Sequence, residues 1–104
     1  MKKYITKPIQ QTVVSAIQIN EENRQEIEDV FKDAILYFFY HDEFGCYISK
    51  DYQKDEKFSH LGCMLFIHDA HCQALEGDFI VLLNDGRITA RNKEGFEEKF
   101  EPCD

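Results

Sequence analysis

The chain has 104 residues, of which 43% are hydrophobic and 31% charged, and its formal net charge is −8 at pH 7. A chain of this length can bury one hydrophobic core, so we expect a single domain over residues 1–104. The negative charge disfavours direct binding to DNA, RNA or an anionic membrane, and no apolar run is long enough to cross a bilayer. We therefore expect a soluble cytoplasmic protein.

The first third of the chain predicts a strand followed by an amphipathic helix. Residues 12–19 are β-branched and partly alternating, which is typical of a strand. Asn20 is a good helix N-cap, and the acidic residues that follow it place negative charge near the positive end of the helix. Four apolar residues then recur at helical spacing, which predicts that the helix packs on a sheet. They are Ile27, Val30, Phe31 and Ala34.

The middle third is rich in aromatic residues. Residues 35–40 form a continuous apolar run, which favours a strand covered on both faces over a continuation of the helix. A turn over residues 41–45 leads to a predicted returning strand over residues 46–50, and residues 51–60 form a charged loop that adds nothing to the core. Alternation places Tyr37, Phe39 and Tyr47 on one face and Phe38, Tyr40 and Ile48 on the other. One face is covered by the helix, and the other by the chain itself, a ligand or another subunit.

The last third predicts a central strand over residues 61–67, a turn over residues 76–78 and a β-hairpin. Two short apolar runs, 79–83 and 87–90, flank Asn84-Asp85-Gly86. The Asp-Gly pair is expected to supply the positive φ angles of a tight hairpin turn.

The chain is expected to break at Gly95 and to end in a short helix. Phe96 and Phe100, four residues apart, would share one face of that helix. The predicted elements give an α+β fold, mainly an antiparallel sheet with one packed amphipathic helix and a short C-terminal helix.

Three short segments of the chain occur in an order and at a spacing that resemble those of a known group of proteins. They are Val-Val-Ser-Ala-Ile-Gln at 13–18, Gly-Asp-Phe-Ile-Val at 77–81 followed by Gly86, and Phe-Glu-Glu-Lys-Phe-Glu at 96–101. Together they resemble the opening and closing segments of a widespread group of small phage and prophage proteins. The resemblance covers about half of the chain. It implies a phage-related fold located in the host cell cytoplasm, and the group has no general activity to transfer.

A metal site and a catalytic site are both weakly indicated. Cys63, His68, His71 and Cys72 lie within ten residues, and such ligands can hold zinc in a tetrahedron, but their spacing is not that of a standard zinc site. We favour a buried Cys63 thiol beside exposed histidines. A catalytic Cys-His pair oriented by Asp69 can also be assembled from these residues. We interpret it as a coincidence, because a short chain with four cysteines and four histidines offers many such pairs. We therefore expect no enzyme activity, no cofactor and free thiols.

Two binding hypotheses remain. We favour a non-enzymatic phage accessory protein that binds and modulates a host protein, for example as an inhibitor of a defence system, through an acidic face. The residues assigned to this face are Glu21, Glu22, Glu26, Asp29, Asp42 and Glu43. The alternative is a module that binds or sequesters a small nucleotide-like molecule, in which tyrosines stack on a base and arginines meet phosphate. The residues assigned to it are Tyr37, Tyr47, Arg87 and Arg91. The aromatic third also leaves a homodimer open.

Overall fold

The computed structural model describes residues 1–7 and 12–103, which form two antiparallel sheets and two helices. The strands are β1 Lys2–Thr6, β2 Val13–Gln18, β3 Ile35–His41, β4 His60–Ile67, β5 Ala70–Ala74, β6 Phe79–Leu82, β7 Ile88–Arg91 and β8 Phe100–Pro102. The helices are α1 Arg24–Phe31 and α2 Lys93–Lys99. The prediction of a mainly antiparallel α+β fold is confirmed. No helix in the described ranges is long and apolar enough to span a membrane.

The larger sheet has five strands in the order β7-β6-β2-β1-β8, and both of its faces carry apolar side chains. Successive residues of a strand point to opposite faces. Ile17 and Ile80, which pair across β2 and β6, belong to the core that lies between the two sheets. Ala16 and Val81, the adjacent pair, belong to a second core beneath α2. Because both faces of the sheet are covered at β2, apolar side chains are needed on both, and the sequence of this strand is a nearly continuous apolar run.

The smaller sheet has three strands in the order β3-β4-β5, and its inner face supplies much of the first core. Leu61, Cys63 and Leu65 alternate along β4 and are each fully buried. The prediction of an apolar central strand over residues 61–67 is therefore confirmed. Helix α1 adds Ile27 and Phe31 to the same core.

The second core is aromatic. Phe79 and Phe96 stack with ring centroids 4.0 Å apart, and Phe96 stacks on Phe100 at 5.1 Å. Tyr4 meets Phe96 edge-on at 4.8 Å. These rings fasten α2 and β8 to the outer face of the five-stranded sheet, since offset and edge-on aromatic pairs add to the stabilisation from burial.

Several predictions about the first half of the chain are wrong in detail. Helix α1 begins at Arg24, with Asn23 as its N-cap, and Asn20 instead accepts a hydrogen bond from the Asn23 amide at 2.8 Å. Val30 is 45% exposed, so it does not belong to the buried stripe of the helix. Residues 46–50 do not form a strand, and only an isolated bridge joins His41 to Ile48.

The predictions for the loop and the C-terminal segments also need correction. Phe58 lies in the charged loop and nevertheless packs against the first core. Gly95 lies inside α2, where the Asn92 side chain caps its amide, and Phe100 has left the helix for β8. In the β6–β7 hairpin only Gly86 has a positive φ. The Gly86 amide donates a hydrogen bond to the Leu83 carbonyl at 3.0 Å. This is a three-residue loop with a bulge at glycine, not a two-residue turn.

Candidate functional site

The predicted acidic residues near α1 lie together at the surface. Glu22 precedes the helix, Glu26 and Asp29 lie on it, and all three are exposed. Glu28 and Asp33, which the sequence analysis did not select, are exposed on the same segment. We call these five residues the acidic helix face. The helix is amphipathic, so burial of its apolar side keeps this side in water.

The acidic helix face carries much of the charge of the protein. Residues 21–33 hold six acidic and two basic side chains, which is half of the net charge of −8. Within residues 1–7 and 12–103, the side chains of Glu22, Glu28 and Asp33 make neither an ion pair nor a hydrogen bond. Asp29 accepts one bond from the Gln25 side chain at 2.9 Å. These carboxylates are therefore not neutralised by the described part of the chain.

A groove of about 600 Å³ separates the start of α1 from the five-stranded sheet. We call it the acidic groove, and it is lined by Glu22, Asn23 and Glu26 on one side and by Tyr4, Ala16 and Phe79 on the other. The amino group of Met1 donates to Glu26 Oε2 at 2.7 Å, and Lys2 also lines the groove. The Met1 contact shows that an ammonium group fits against this carboxylate.

Hydrogen bonds between side chains and backbone hold the wall of the acidic groove in place. The Asn23 side chain donates to the Gln18 carbonyl at 2.8 Å, and the Gln18 side chain donates to the Gly77 carbonyl at 3.0 Å. These bonds tie the turn before α1 to the end of β2 and to the turn before β6. Glu22 therefore projects from an ordered turn.

Glu21 is exposed, but its carboxylate has a hydrogen-bond partner within the protein. Its carboxylate accepts a short hydrogen bond from the Tyr40 hydroxyl, which in turn accepts a bond from Arg24 at 3.0 Å. Burial, followed by the neighbouring Glu21, raises the pKa of Tyr40. The guanidinium of Arg24 also lies 4.6 Å from the centroid of Phe38. This network joins α1 to β3, so Glu21 is a structural residue at the border of the acidic helix face.

Asp42 and Glu43 do not lie on the acidic helix face, and both line a separate cleft. Asp42 is 6% exposed, and its Oδ1 accepts bonds from the amides of Phe44 at 3.2 Å and Cys46 at 3.1 Å. Its carboxylate holds the turn together, so the prediction that it faces a partner is wrong. Glu43 is exposed and lines this cleft of about 330 Å³ together with Lys57 and His60.

The residues of the nucleotide hypothesis are placed in different layers. Tyr37 lies on the outer face of the three-stranded sheet, where its ring is 5.2 Å from that of Tyr52. Arg91 pairs with Phe79 on the outer face of the five-stranded sheet, and its Nε is buried without a hydrogen-bond partner. Arg87 lies beyond the β6–β7 turn and pairs with Asp85 at 2.7 Å, while Tyr47 is in an exposed loop. The structure does not bring Tyr37 and Arg91 to one pocket.

The four candidate metal ligands are also separated. Cys63 and Cys72 point to the inner face of the three-stranded sheet, whereas His71, which pairs with Phe66, points to the outer face. His68 is exposed in the turn. Among residues 1–7 and 12–103 no group of three or more potential ligands is placed to hold a metal. Burial raises the pKa of the Cys63 thiol to about 12, which leaves it without nucleophilic character at neutral pH.

A histidine cluster that the sequence analysis missed lies at one end of the three-stranded sheet. The rings of His41 and His60 stack with centroids 5.5 Å apart, and His60 Nδ1 is 2.5 Å from Glu76 Oε2. His41 is buried, and its Nε2 accepts the Glu76 amide at 3.1 Å while Nδ1 meets the Asp42 carbonyl at 2.7 Å. An acceptor at Nε2 assigns the proton to Nδ1, so both nitrogens of His41 are used. No sequence motif joins residues 41, 60 and 76.

The fold and these surfaces define an acidic α+β protein in which residues 21–33 carry six of the 20 acidic side chains and border a groove. No family model matches the chain, and the comparisons with curated proteins and with solved structures find no match.

Proposed function

We propose that this protein is a non-enzymatic accessory protein that binds a basic surface of another protein through the acidic helix face and the acidic groove. The observation that carries the proposal is the combination of the carboxylates of Glu22, Glu28 and Asp33, which have no partner among the described residues, with a groove in which Glu26 already pairs with an ammonium group. Glu22 and Glu26 belong to both surfaces. A lysine or arginine of a partner would find a carboxylate at the groove wall and aromatic carbon at its floor.

Electrostatic attraction would act mainly on the rate and selectivity of binding. Exposed charge pairs contribute little affinity each, but a field of one sign steers an oppositely charged partner and repels others. Exposed charges are screened over about 8 Å at physiological ionic strength. We therefore expect partner binding to weaken as salt is raised.

The nature of the partner is part of the proposal. The three segments that resemble phage and prophage proteins suggest that the partner is a protein of the host cytoplasm, and a nucleic-acid-binding protein of a defence system has the required basic surface. An acidic helix beside a groove would occupy such a surface in place of its nucleic acid.

The proposal is tested by affinity capture from host lysate with two matched variants. E22K/E26K reverses the charge at the groove wall. E97K/E98K makes the same charge change at exposed positions of α2, away from the groove. We expect the wild type and E97K/E98K to retain a basic protein, identified by mass spectrometry, at low salt and to release it at high salt. We expect E22K/E26K to retain none.

Two outcomes would count against the proposal. Capture of the same protein by E22K/E26K would show that binding does not use the groove. Release of a small molecule from denatured protein, with no protein partner bound, would favour the nucleotide hypothesis. Circular dichroism of each variant establishes that its fold is unchanged.

A further inference from the structure

The two sheets have four edge strands, and three of them are protected against pairing with another strand. β8 contains Glu101 and Pro102, and the four-residue β7 ends in Arg91. Segment 47–49 covers the end of β3, where the Ser49 amide bonds the Tyr40 carbonyl at 2.8 Å, and β3 also has a bulge between Ile35 and Tyr37. Charges, proline, bulges and covering loops are the usual means of blocking an edge. Within residues 1–7 and 12–103, β5, with the sequence Ala-His-Cys-Gln-Ala, contains no Asp, Glu, Lys, Arg, proline or bulge.

The turn before β5 determines which of its backbone groups face outward. His68 and Asp69 both have positive φ, 54° and 62°, as in a two-residue type I′ hairpin turn. Ile67 and Ala70 close that turn, so they form a hydrogen-bonded pair, and the pairs alternate along the ladder. The Phe66 amide accordingly turns away from β5 and bonds the Ala34 carbonyl at 2.7 Å. By the same alternation His71 and Gln73 direct their N–H and C=O groups to the open edge.

The charge distribution indicates which partner this edge can accept. The strands β3, β4 and β5 contain no Asp, Glu, Lys or Arg, although the whole chain has 32 such residues among 104. Two copies of a chain with net charge −8 repel each other wherever their charged surfaces meet. The strands of the three-stranded sheet are where they can approach with the fewest opposing like charges, because only Asp69 and Glu76 flank β5 at its two ends. The small residues Ala70 and Ala74 at the two ends of β5 also allow close approach.

We propose that two copies of this protein associate by antiparallel pairing of β5, which joins their three-stranded sheets into one six-stranded sheet. A twofold axis at Cys72 pairs His71 of each copy with Gln73 of the other. These are the residues whose backbone groups face the edge, so each pair exchanges both of its N–H···O=C bonds. The side chains of His71 and Gln73 then lie side by side on the outer face. The interface is short, and the dimer is therefore weak and concentration-dependent.

The dimer does not depend on the proposed function and has the opposite salt dependence. Salt screens the repulsion between two copies of charge −8, so it strengthens the dimer, whereas it weakens binding of a basic partner at the acidic groove. Either proposal can therefore fail while the other holds.

The test is sedimentation equilibrium of the full chain from about 1 µM to about 1 mM, the range in which weak complexes form. We compare the wild type with Q73K, which puts a lysine at the proposed edge. The matched control is Q53K, which makes the same change at an exposed loop residue. We expect the wild type and Q53K to dimerise, more strongly at high salt, and Q73K to require at least tenfold higher concentration.

Hydrogen exchange locates the interface independently of any variant. The amides of His71 and Gln73 should become protected as the concentration of the wild type rises, while that of Asp69 should not change. A wild type that is monomeric throughout the range overturns the proposal. So does a dimer that Q73K leaves intact, or one in which protection appears at another strand.

Discussion

The glycine at position 62 offers the sharpest prediction of stability. An ideal Cβ at Gly62 would lie 2.6 Å from both Cε2 and Cζ of Phe39 and 2.9 Å from the Ala74 carbonyl oxygen. Carbon atoms pack best at about 3.5–4.0 Å, so the ring of Phe39 would have to retreat by about 1 Å. Phe39 is only 1% exposed and has no free space to enter. We expect Gly62→Ala to lower the free energy of unfolding by about 1–3 kcal/mol.

Thermal or urea denaturation of the full chain measures this loss. For a domain of this size a loss of about 2 kcal/mol lowers Tm by roughly 8–16 °C. Phe39→Leu should cost less in the Gly62→Ala background than in the wild type, because the smaller side chain relieves the clash. The resulting coupling energy should be at least about 1 kcal/mol.

Gly95, which lies in a helix and not in a strand, is the control. Gly95 lies in α2, where an added Cβ would meet only the Asn92 side-chain oxygen at 3.1 Å. Alanine is a better helix former than glycine by about 1 kcal/mol, which offsets the crowding of the Asn92 cap, so Gly95→Ala should cost less than Gly62→Ala. If Gly62→Ala were as stable as the wild type, or if Phe39→Leu gave no relief, the assignment of Gly62 to a close contact with Phe39 would be refuted.

Three further predictions concern a cap, a thiol and a carboxyl group. Asn92→Ala removes the side chain that accepts the Gly95 amide at 2.7 Å and should cost about 1 kcal/mol in urea denaturation, whereas Asn84→Ala in the exposed hairpin turn should be nearly neutral. Burial raises the pKa of Cys63 to about 12, so this thiol is only about one part in 10⁴ thiolate at pH 8 and should not react with an aromatic disulfide reagent in the folded protein. Cys46 is exposed and should react at once. Rapid modification of Cys63 without unfolding would contradict its burial. Burial raises the pKa of Asp78 above its ordinary 3.8, so the folded chain keeps a proton that the unfolded chain has lost, and the contribution of Asp78 to stability falls as the pH rises through that window. Asp78→Asn should remove this part of the pH dependence, and urea denaturation of both proteins between pH 3 and 7 checks whether the two curves differ in this way.

Local patterns in the sequence predict the elements whose side chains alternate regularly. Residues 61–67 and the two arms of the β6–β7 hairpin were predicted as strands, because their apolar runs are bounded by turn residues. The acidic helix face follows from the same kind of pattern, since an amphipathic helix turns its charged side to water. Val30 is the exception among the apolar residues at helical spacing, since it is 45% exposed.

The tertiary structure decided the features that depend on residues far apart in the chain. Asp42 and Glu43 are adjacent and chemically alike, but Asp42 is buried and bonded to the amides of its own turn, whereas Glu43 is exposed. The acidic groove combines Tyr4 and Phe79 with the start of α1, and the histidine cluster joins residues 41, 60 and 76. Side-chain type and spacing determined which faces would be apolar or charged, because those preferences act over a few residues. Which of those faces meet depended on the pairing of distant strands, and that is set by the packing of the whole core.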